Sequence, residues 1–231
     1  MERFLFPRWT NKFLVLLGLS LVGGAVVYAG PMFLGVTDPI TLNVGYQPEQ
    51  PIPFSHVIHA GQLKMDCRYC HTTVDKAAHA TIPATQVCVN CHSPKGTTGT
   101  PIFSAVWADS PKLKPVHESW RTGDSIKWVR IHRLPDFVYF NHSAHVTRGV
   151  SCVSCHGRID KMERVAQAKE LSMTWCVDCH RNPEPHLRPV EFVTKLDWKA
   201  EDIGEDPVEL GKRLKEEKNI HPMTNCAVCH R

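Results

Sequence analysis

The sequence predicts a mostly irregular chain with short α-helices, preceded by one transmembrane helix. Three observations predict it. All ten cysteines of the 231-residue chain fall in five Cys-x-x-Cys-His units. Outside those units sustained apolar periodicity is scarce, and no convincing strand stands out. Near the N-terminus, one long stretch carries no charge at all.

That stretch is "FLVLLGLSLVGGAVVYAGPMFLGV", Phe13 to Val36. A bilayer crossing needs roughly 20 apolar residues, so 13–36 is read as a transmembrane anchor with lipid as its surroundings. Arg3, Arg8 and Lys12 precede it, and no Lys or Arg follows until Lys64. The excess of basic residues on the cytoplasmic side of membrane helices makes 1–12 a cytoplasmic tail and puts 37–231 outside. A cleaved signal peptide is the competing reading, because Val27-Tyr28-Ala29 resembles a cleavage site, but the apolar run exceeds a usual signal core. Gly18, Gly23, Gly24 and Ala25 would let the helix pack closely on another membrane helix; equally, they would simply face lipid.

The cysteine units are Cys67/Cys70/His71, Cys88/Cys91/His92, Cys152/Cys155/His156, Cys176/Cys179/His180 and Cys226/Cys229/His230. This spacing is that of c-type haem attachment. Each thiol adds to one haem vinyl group, the two-residue gap spans the distance between the vinyls, and the adjoining His is held under the iron as proximal ligand. A zinc site would couple two Cys-x-x-Cys knuckles without needing His after each, and a thioredoxin-like redox pair would occur once. Every unit here carries the His and no cysteine is left for disulfides. The expectation is five covalent c-type haems, in the architecture of a multihaem cytochrome c.

Of fourteen histidines, five are proximal and nine remain: His56, His59, His79, His117, His132, His142, His145, His186 and His221. His56 and His59, three apart, share one face of a helical turn. His56 is expected to ligate the haem of Cys67/Cys70 and His59 that of Cys88/Cys91. His142 and His145 are expected to serve the haems of Cys152/Cys155 and Cys176/Cys179 in the same way. The haem of Cys226/Cys229 then needs a distal ligand from elsewhere: His132, ten residues before His142 and so already committed to the haem cluster, is the first choice, and Met173, three residues before an attachment motif, the alternative. A thioether ligand would raise that haem's potential, although a methionine also packs readily as plain core. His79, His117, His186 and His221 read as surface or satisfied core residues.

This makes an internal repeat. Phe54–His92 and Phe140–His180 each hold one Phe-x-His-x-x-His segment and two attachment units, and a fifth unit closes the chain at 226–230. Between the copies, "SPKGTTGTPIFSAVWADSPKLKPVHESW" is rich in Pro, Gly, Ser and Thr and reads as irregular chain. The clearest helix lies in "GEDPVELGKRLKEEKN": Asp206 as cap, Pro207 in the first turn, Glu209 completing a capping box, Leu210 and Leu214 as an apolar stripe. Each porphyrin is a large apolar plate, so the macrocycles themselves are expected to form much of the core of 37–231.

The stretches "PIPFSHVIHAGQLKMDCRYCH", "WVRIHRLPDFVYFNHSAHV" and "LSMTWCVDCHRNP", with the five attachment units in this order, resemble the pentahaem cytochrome c subunit of alternative complex III, the bacterial quinol-oxidising respiratory complex. The likeness covers nearly the whole chain. It implies a periplasmic haem domain on one anchor in the bacterial inner membrane. It implies electrons received from quinol through polytopic quinol-binding membrane subunits and an iron–sulfur subunit, and passed to a monohaem cytochrome c or a terminal oxidase.

A multihaem reductase would need one iron with an open distal position; five proximal histidines and nine spare ones favour an electron carrier that is not catalytic alone. A stand-alone membrane-anchored quinol dehydrogenase feeding a periplasmic reductase is the alternative within electron transfer. The net charge of +4 is too mild to suggest nucleic acid. No Gly-rich phosphate loop, Ser-His-Asp set or paired catalytic carboxylates are present.

Overall fold

The structure, a computed structural model, describes residues 7, 9–37, 42–95 and 105–230. Two compact units divide the chain, Met1–Asn43 and Val44–Arg231.

The first unit is built on helix α1, Trp9–Thr37. Its stretch Lys12–Gly35 has a mean hydropathy of 2.1 over an apolar window with none of its residues buried. At about 1.5 Å rise per residue such a helix is long enough to cross a membrane. It is apolar on every side, as a lipid-facing helix is and a surface helix is not. Trp9 packs edge-on to Phe13 one turn later, ring centres 5.7 Å apart. Arg3 and Arg8, on which the expected orientation rests, lie outside the described residues.

The second unit contains no strand among the described residues; its ladder contacts are isolated bridges, His92 to Ala105, Val138 to His230 and Val150 to Leu187. Its helices are short: α2 Cys67–Cys70, α3 Thr85–Val89, α4 Lys114–Thr122, α5 His142–Val146, α6 Cys152–His156, α7 Met173–Arg181, α8 Pro207–Glu217 and α9 Cys226–Cys229. Side-chain caps start several of them. Asp66 accepts from Arg68 N, Ser151 from Val153 N and Ser172 from Trp175 N, each satisfying a backbone donor that a helix start leaves unpaired.

Among the described residues, apolar burial is divided among three small clusters. One gathers Leu187, Ala200, Leu210, Leu214 and Ile220. A second holds Ile52, Val89, Leu113 and Val116, and a third Val74, Val146 and Val193. Among the described residues these clusters remain separate and do not merge into one core. Close backbone approach substitutes for bulk at two glycines. Gly61 lies on the carbonyl of Asp160, and Gly211 of α8 lies on that of Glu184.

Two expectations need correction. The linker is not irregular throughout: α4 occupies Lys114–Thr122, with Pro115 in its first turn and Gly123 closing it in the left-handed region. Leu113, Val116 and Trp120 put an apolar edge on that helix, which packs with Val89 and Ile52. Residues 96–104 of the linker lie outside the described residues. In α8, Asp206 caps Val208 N and Glu209 N as expected, but the Glu209 carboxylate accepts from Lys212 Nζ at 2.7 Å rather than closing a capping box.

Candidate haem centres

Each attachment motif is one helical turn. His71 N donates to Cys67 O at 2.8 Å, His92 N to Cys88 O at 2.9 Å and His230 N to Cys226 O at 2.9 Å. A turn puts positions i and i+3 on one face, so both thiols of a motif point the same way. All ten thiols are free.

The motifs meet in an order that differs from their order in sequence. The first and second are joined by Asn90, inside Cys88-Val-Asn-Cys91, whose Nδ2 donates to Tyr69 Oη, inside Cys67-Arg-Tyr-Cys70, at 3.1 Å. The Cys70 thiol is pushed up by burial and then by its neighbours Cys67 and Cys91. The first and third converge on Val193–Thr194: Cys67 Sγ lies 3.9 Å from Thr194 O, and Ser151 Oγ donates to Val193 O at 2.9 Å. There the Cys67 and Cys152 thiols face each other, a contact that raises the Cys67 pKa, with burial adding to it. Cys155, in the third motif, is pushed up to about 12 by burial and then by Cys179 and Cys176 of the fourth. Cys176 in turn is raised by burial and by Cys229 of the fifth. The spatial series is therefore second, first, third, fourth, fifth.

Six histidines are held in one tautomer. Nδ1 lies 2.8 Å from Ser55 O in His59, 2.9 Å from Thr81 O in His71 and 2.7 Å from Val106 O in His92. It lies 2.9 Å from Ala78 O in His142, 2.7 Å from Asn141 O in His145 and 2.8 Å from Met223 O in His180. A carbonyl oxygen only accepts, so each Nδ1 carries the proton and each Nε2 keeps its lone pair, the form in which imidazole binds a metal. His56 presents a buried ring nitrogen, Nδ1, with no hydrogen-bond partner. An orphan of this kind costs about 1–3 kcal/mol unless something satisfies it.

Ring positions agree with the tautomers. A metal–imidazole bond is about 2 Å and the ring centre lies about 1 Å behind the ligating nitrogen, so two rings sharing one metal have centres about 6 Å apart. The centres of His59 and His92 are 6.1 Å apart, those of His142 and His156 6.4 Å, and those of His145 and His180 6.0 Å. His56 is close enough to His71 to feel its charge; desolvation first and then His71 and His59 lower its pKa to about 4. His156 is lowered to about 3 by desolvation, then by His132, His142 and His71. Both rings are thus neutral at ordinary pH, as ligation requires.

The Phe-x-His-x-x-His segments repeat in three dimensions. Phe54 stacks on His59 at 4.3 Å and stands edge-on to His56 at 4.8 Å. Phe140 stacks on His145 at 4.6 Å and stands edge-on to His142 at 4.8 Å. The first pair sits on a π-helical turn, Val57–Gln62, with His56 at its start; the second sits in α5.

Comparison with known proteins gives the family. The profile of the family described as cytochrome c7 and related cytochrome c matches residues 138–231. Over 188 residues the chain is 31% identical to the menaquinone reductase multihaem cytochrome c subunit of Nitratidesulfovibrio vulgaris, covering 69% of this chain and 83% of that one. The chain belongs to the multihaem cytochromes c. The electron carriers of this multihaem cytochrome are c-type haems, and its cysteines, neutral histidines and lone-pair geometry fit that group.

The remaining histidines of the cytochrome are placed as follows. His117 Nε2 lies 3.0 Å from His92 O and His221 Nε2 lies 2.8 Å from Asn219 Oδ1, so in both the nitrogen that the six fixed rings keep free is already engaged. His79 is exposed, and His186 is partly buried with its pKa lowered by burial and by Lys169. His132 meets His156: Nε2 lies 3.3 Å from His156 Nδ1, with the rings nearly perpendicular at 4.3 Å. The ring beside His230 is that of Phe137, at 5.8 Å. Met173 opens α7 and is 68% exposed. Sequence reasoning did not find the carbonyls that fix the tautomers: those of Thr81, Val106, Ala78 and Met223 lie 10 to 64 positions from their histidines, and those of Ser55 and Asn141, one turn before theirs, are backbone groups that leave no residue-type signal.

Proposed function

We propose that this cytochrome is the electron-transfer subunit of a membrane quinol-oxidising complex, anchored by residues 13–36 with its haem domain in the periplasm. Cys67/Cys70, Cys88/Cys91, Cys152/Cys155, Cys176/Cys179 and Cys226/Cys229 hold five haems, with His71, His92, His156, His180 and His230 as proximal ligands. His56, His59, His142 and His145 are the distal ligands of the first four. When bound, each haem supplies a one-electron carrier that needs no proton or substrate site. The observation that carries the reading is the uninterrupted series of neighbouring attachment motifs, three of which face a second imidazole about 6 Å away, because a relay needs close, ligated sites more than one substrate site.

The chain's residues hold the relay rigid: the backbone carbonyls orient the imidazoles, Phe54 and Phe140 brace them, and Val193–Thr194 binds the two halves of the repeat together. Quinol chemistry belongs to polytopic partners, with an iron–sulfur subunit between, and a monohaem cytochrome c or terminal oxidase takes the electrons, as the likeness to alternative complex III implies. A second reading reverses the flow. The relative from N. vulgaris is named a menaquinone reductase subunit, which favours electrons entering from the periplasm and leaving to quinone.

Purification of the chain with its partners from detergent-solubilised membranes tests both. On the first reading menaquinol reduces the haems of the complex, and the isolated subunit stays oxidised. Reduction of the isolated subunit at the complex's rate would replace it with the stand-alone quinol dehydrogenase. Oxidation of pre-reduced haems by added menaquinone, with no reduction by menaquinol, would establish the reverse direction.

A further inference from the structure

Three of the five proximal histidines, His71, His92 and His180, place Nδ1 on a backbone carbonyl at 2.7–2.9 Å. His156 does not. Its Nδ1 faces the Nε2 of His132 at 3.3 Å, with the two planes 86° apart and the centres 4.3 Å apart. The other face of the site is set by His142, whose ring lies 6.4 Å from that of His156 and 7° from parallel. His156 is thus flanked by two imidazoles in different roles: His142 opposite it at the spacing of a shared metal, and His132 behind it at hydrogen-bond distance.

From this we infer that His132 is a positioning residue for the third haem: its Nε2 accepts the Nδ1 proton of His156 and so tunes the potential of that haem. The hydrogen bond assigns both tautomers. With His156 ligating through Nε2, its proton is on Nδ1; His132 must then present an Nε2 lone pair and carry its own proton on Nδ1. The partner held behind a metal-bound imidazole sets how much negative charge the ring delivers to the metal. An imidazole nitrogen is a stronger base than an amide oxygen, so His132 draws the His156 proton further than a carbonyl would at equal distance. The added charge favours the ferric state and lowers the potential of this haem. The backbone holds the acceptor in place: the His132 carbonyl receives Arg130 Nε at 3.1 Å, and its ring is partly buried.

This inference rests on the reading that His156 ligates a haem iron, which the spectra of a His156→Ala variant test on their own, since an iron that loses that ligand gives a new high-spin signal. It departs from the expectation that His132 ligates the haem of Cys226/Cys229, and the two differ in observables. The test uses the full-length cytochrome in detergent with His132→Leu and His132→Gln. It combines intact mass, low-temperature EPR and a redox titration followed by both optical absorbance and EPR. In His132→Leu all haems should remain attached with no high-spin signal beyond that of wild type, while the haem with near-parallel axial planes titrates at a higher potential. His132→Gln, whose amide oxygen is again an acceptor, should return that potential part of the way to wild type. A new high-spin signal in either variant would make His132 an iron ligand and overturn the inference. Unchanged potentials in both variants would overturn it as well. If His132→Leu yields no folded protein, the comparison of His132→Gln with wild type decides, since an amide acceptor must still leave the potential above the wild-type value.

Discussion

The ring of His142 lies 7° from the plane of His156, whereas that of His59 is turned 65° from His92. Axial ligand planes govern the two iron d orbitals of π symmetry. Parallel planes split them and give a rhombic low-spin EPR spectrum. Crossed planes leave them nearly degenerate and give a broad signal with a large maximal g value. His145 and His180, at 40°, fall between. The oxidised cytochrome should therefore show at least two classes of low-spin signal, and His142→Ala should reduce the rhombic class by one haem while leaving the large-g class. Loss of the large-g class instead would mean that the pairs are assigned to the wrong haems.

Stoichiometry gives the second test. The five attachment motifs should add five haem masses to the polypeptide, and Cys226→Ala with Cys229→Ala should subtract one without altering the other four. The last motif is joined to the rest by Tyr139 N donating to Cys229 O at 2.7 Å and by Met223 O accepting from His180, so its loss should leave the upstream sites folded. A wild-type mass with four haems would contradict the count.

Much of this was legible in the residues. The attachment spacing, the two Phe-x-His-x-x-His segments, the lack of strands, the long apolar helix and the Asp206 cap depend on neighbours within one or two turns, and local pattern carries them. The spatial order of the motifs was not legible. It depends on Tyr69 meeting Asn90 and on Cys67 and Ser151 both reaching Val193–Thr194, contacts separated by up to 127 positions. Helix α4 was hidden because Gly, Pro, Ser and Thr upstream dominate its surroundings; its own cues, Pro115 and Gly123 with an apolar edge between them, are short. His132 looked like a ligand by residue type, and only its distance to His156 suggests a different role.

Packing of α8 supplies a third prediction. Gly211 faces the Glu184 backbone so closely that a methyl group there would overlap the carbonyl, and Lys215 holds Glu184 from the next turn at 2.5 Å. Overpacking of this kind costs about 1–3 kcal/mol. Gly211→Ala should lower the thermal midpoint of the haem domain clearly, even though alanine is the better helix former. Gly18→Ala in α1, where nothing lies within 4 Å, should leave it unchanged. An equal midpoint for Gly211→Ala would show that the turn at 184–186 moves aside at little cost.

Asp66 closes the set. It precedes the first attachment motif, accepts from Arg68 N at 2.8 Å and Arg68 Nε at 2.9 Å, and accepts from Thr194 Oγ1 at 2.8 Å. It therefore caps α2 and ties the first motif to the segment where the third is held. Loss of such a cap costs about 1 kcal/mol, so Asp66→Ala should destabilise the haem domain at neutral pH by at least that order. The Arg68 hydrogen bond first, with Thr194 and the Arg68 charge assisting against desolvation, holds the Asp66 carboxyl at about 2 instead of its ordinary 3.8. A folded-state pKa below the unfolded one means that the carboxylate stabilises the fold above the unfolded value and that this contribution is lost as pH falls. Between about pH 4 and pH 2 the wild type should accordingly lose stability more steeply than Asp66→Asn, and the two curves should converge at the acid end. Thermal unfolding followed by the Soret band across that range measures it; parallel curves would show that Asp66 is not held ionised by Arg68 and Thr194.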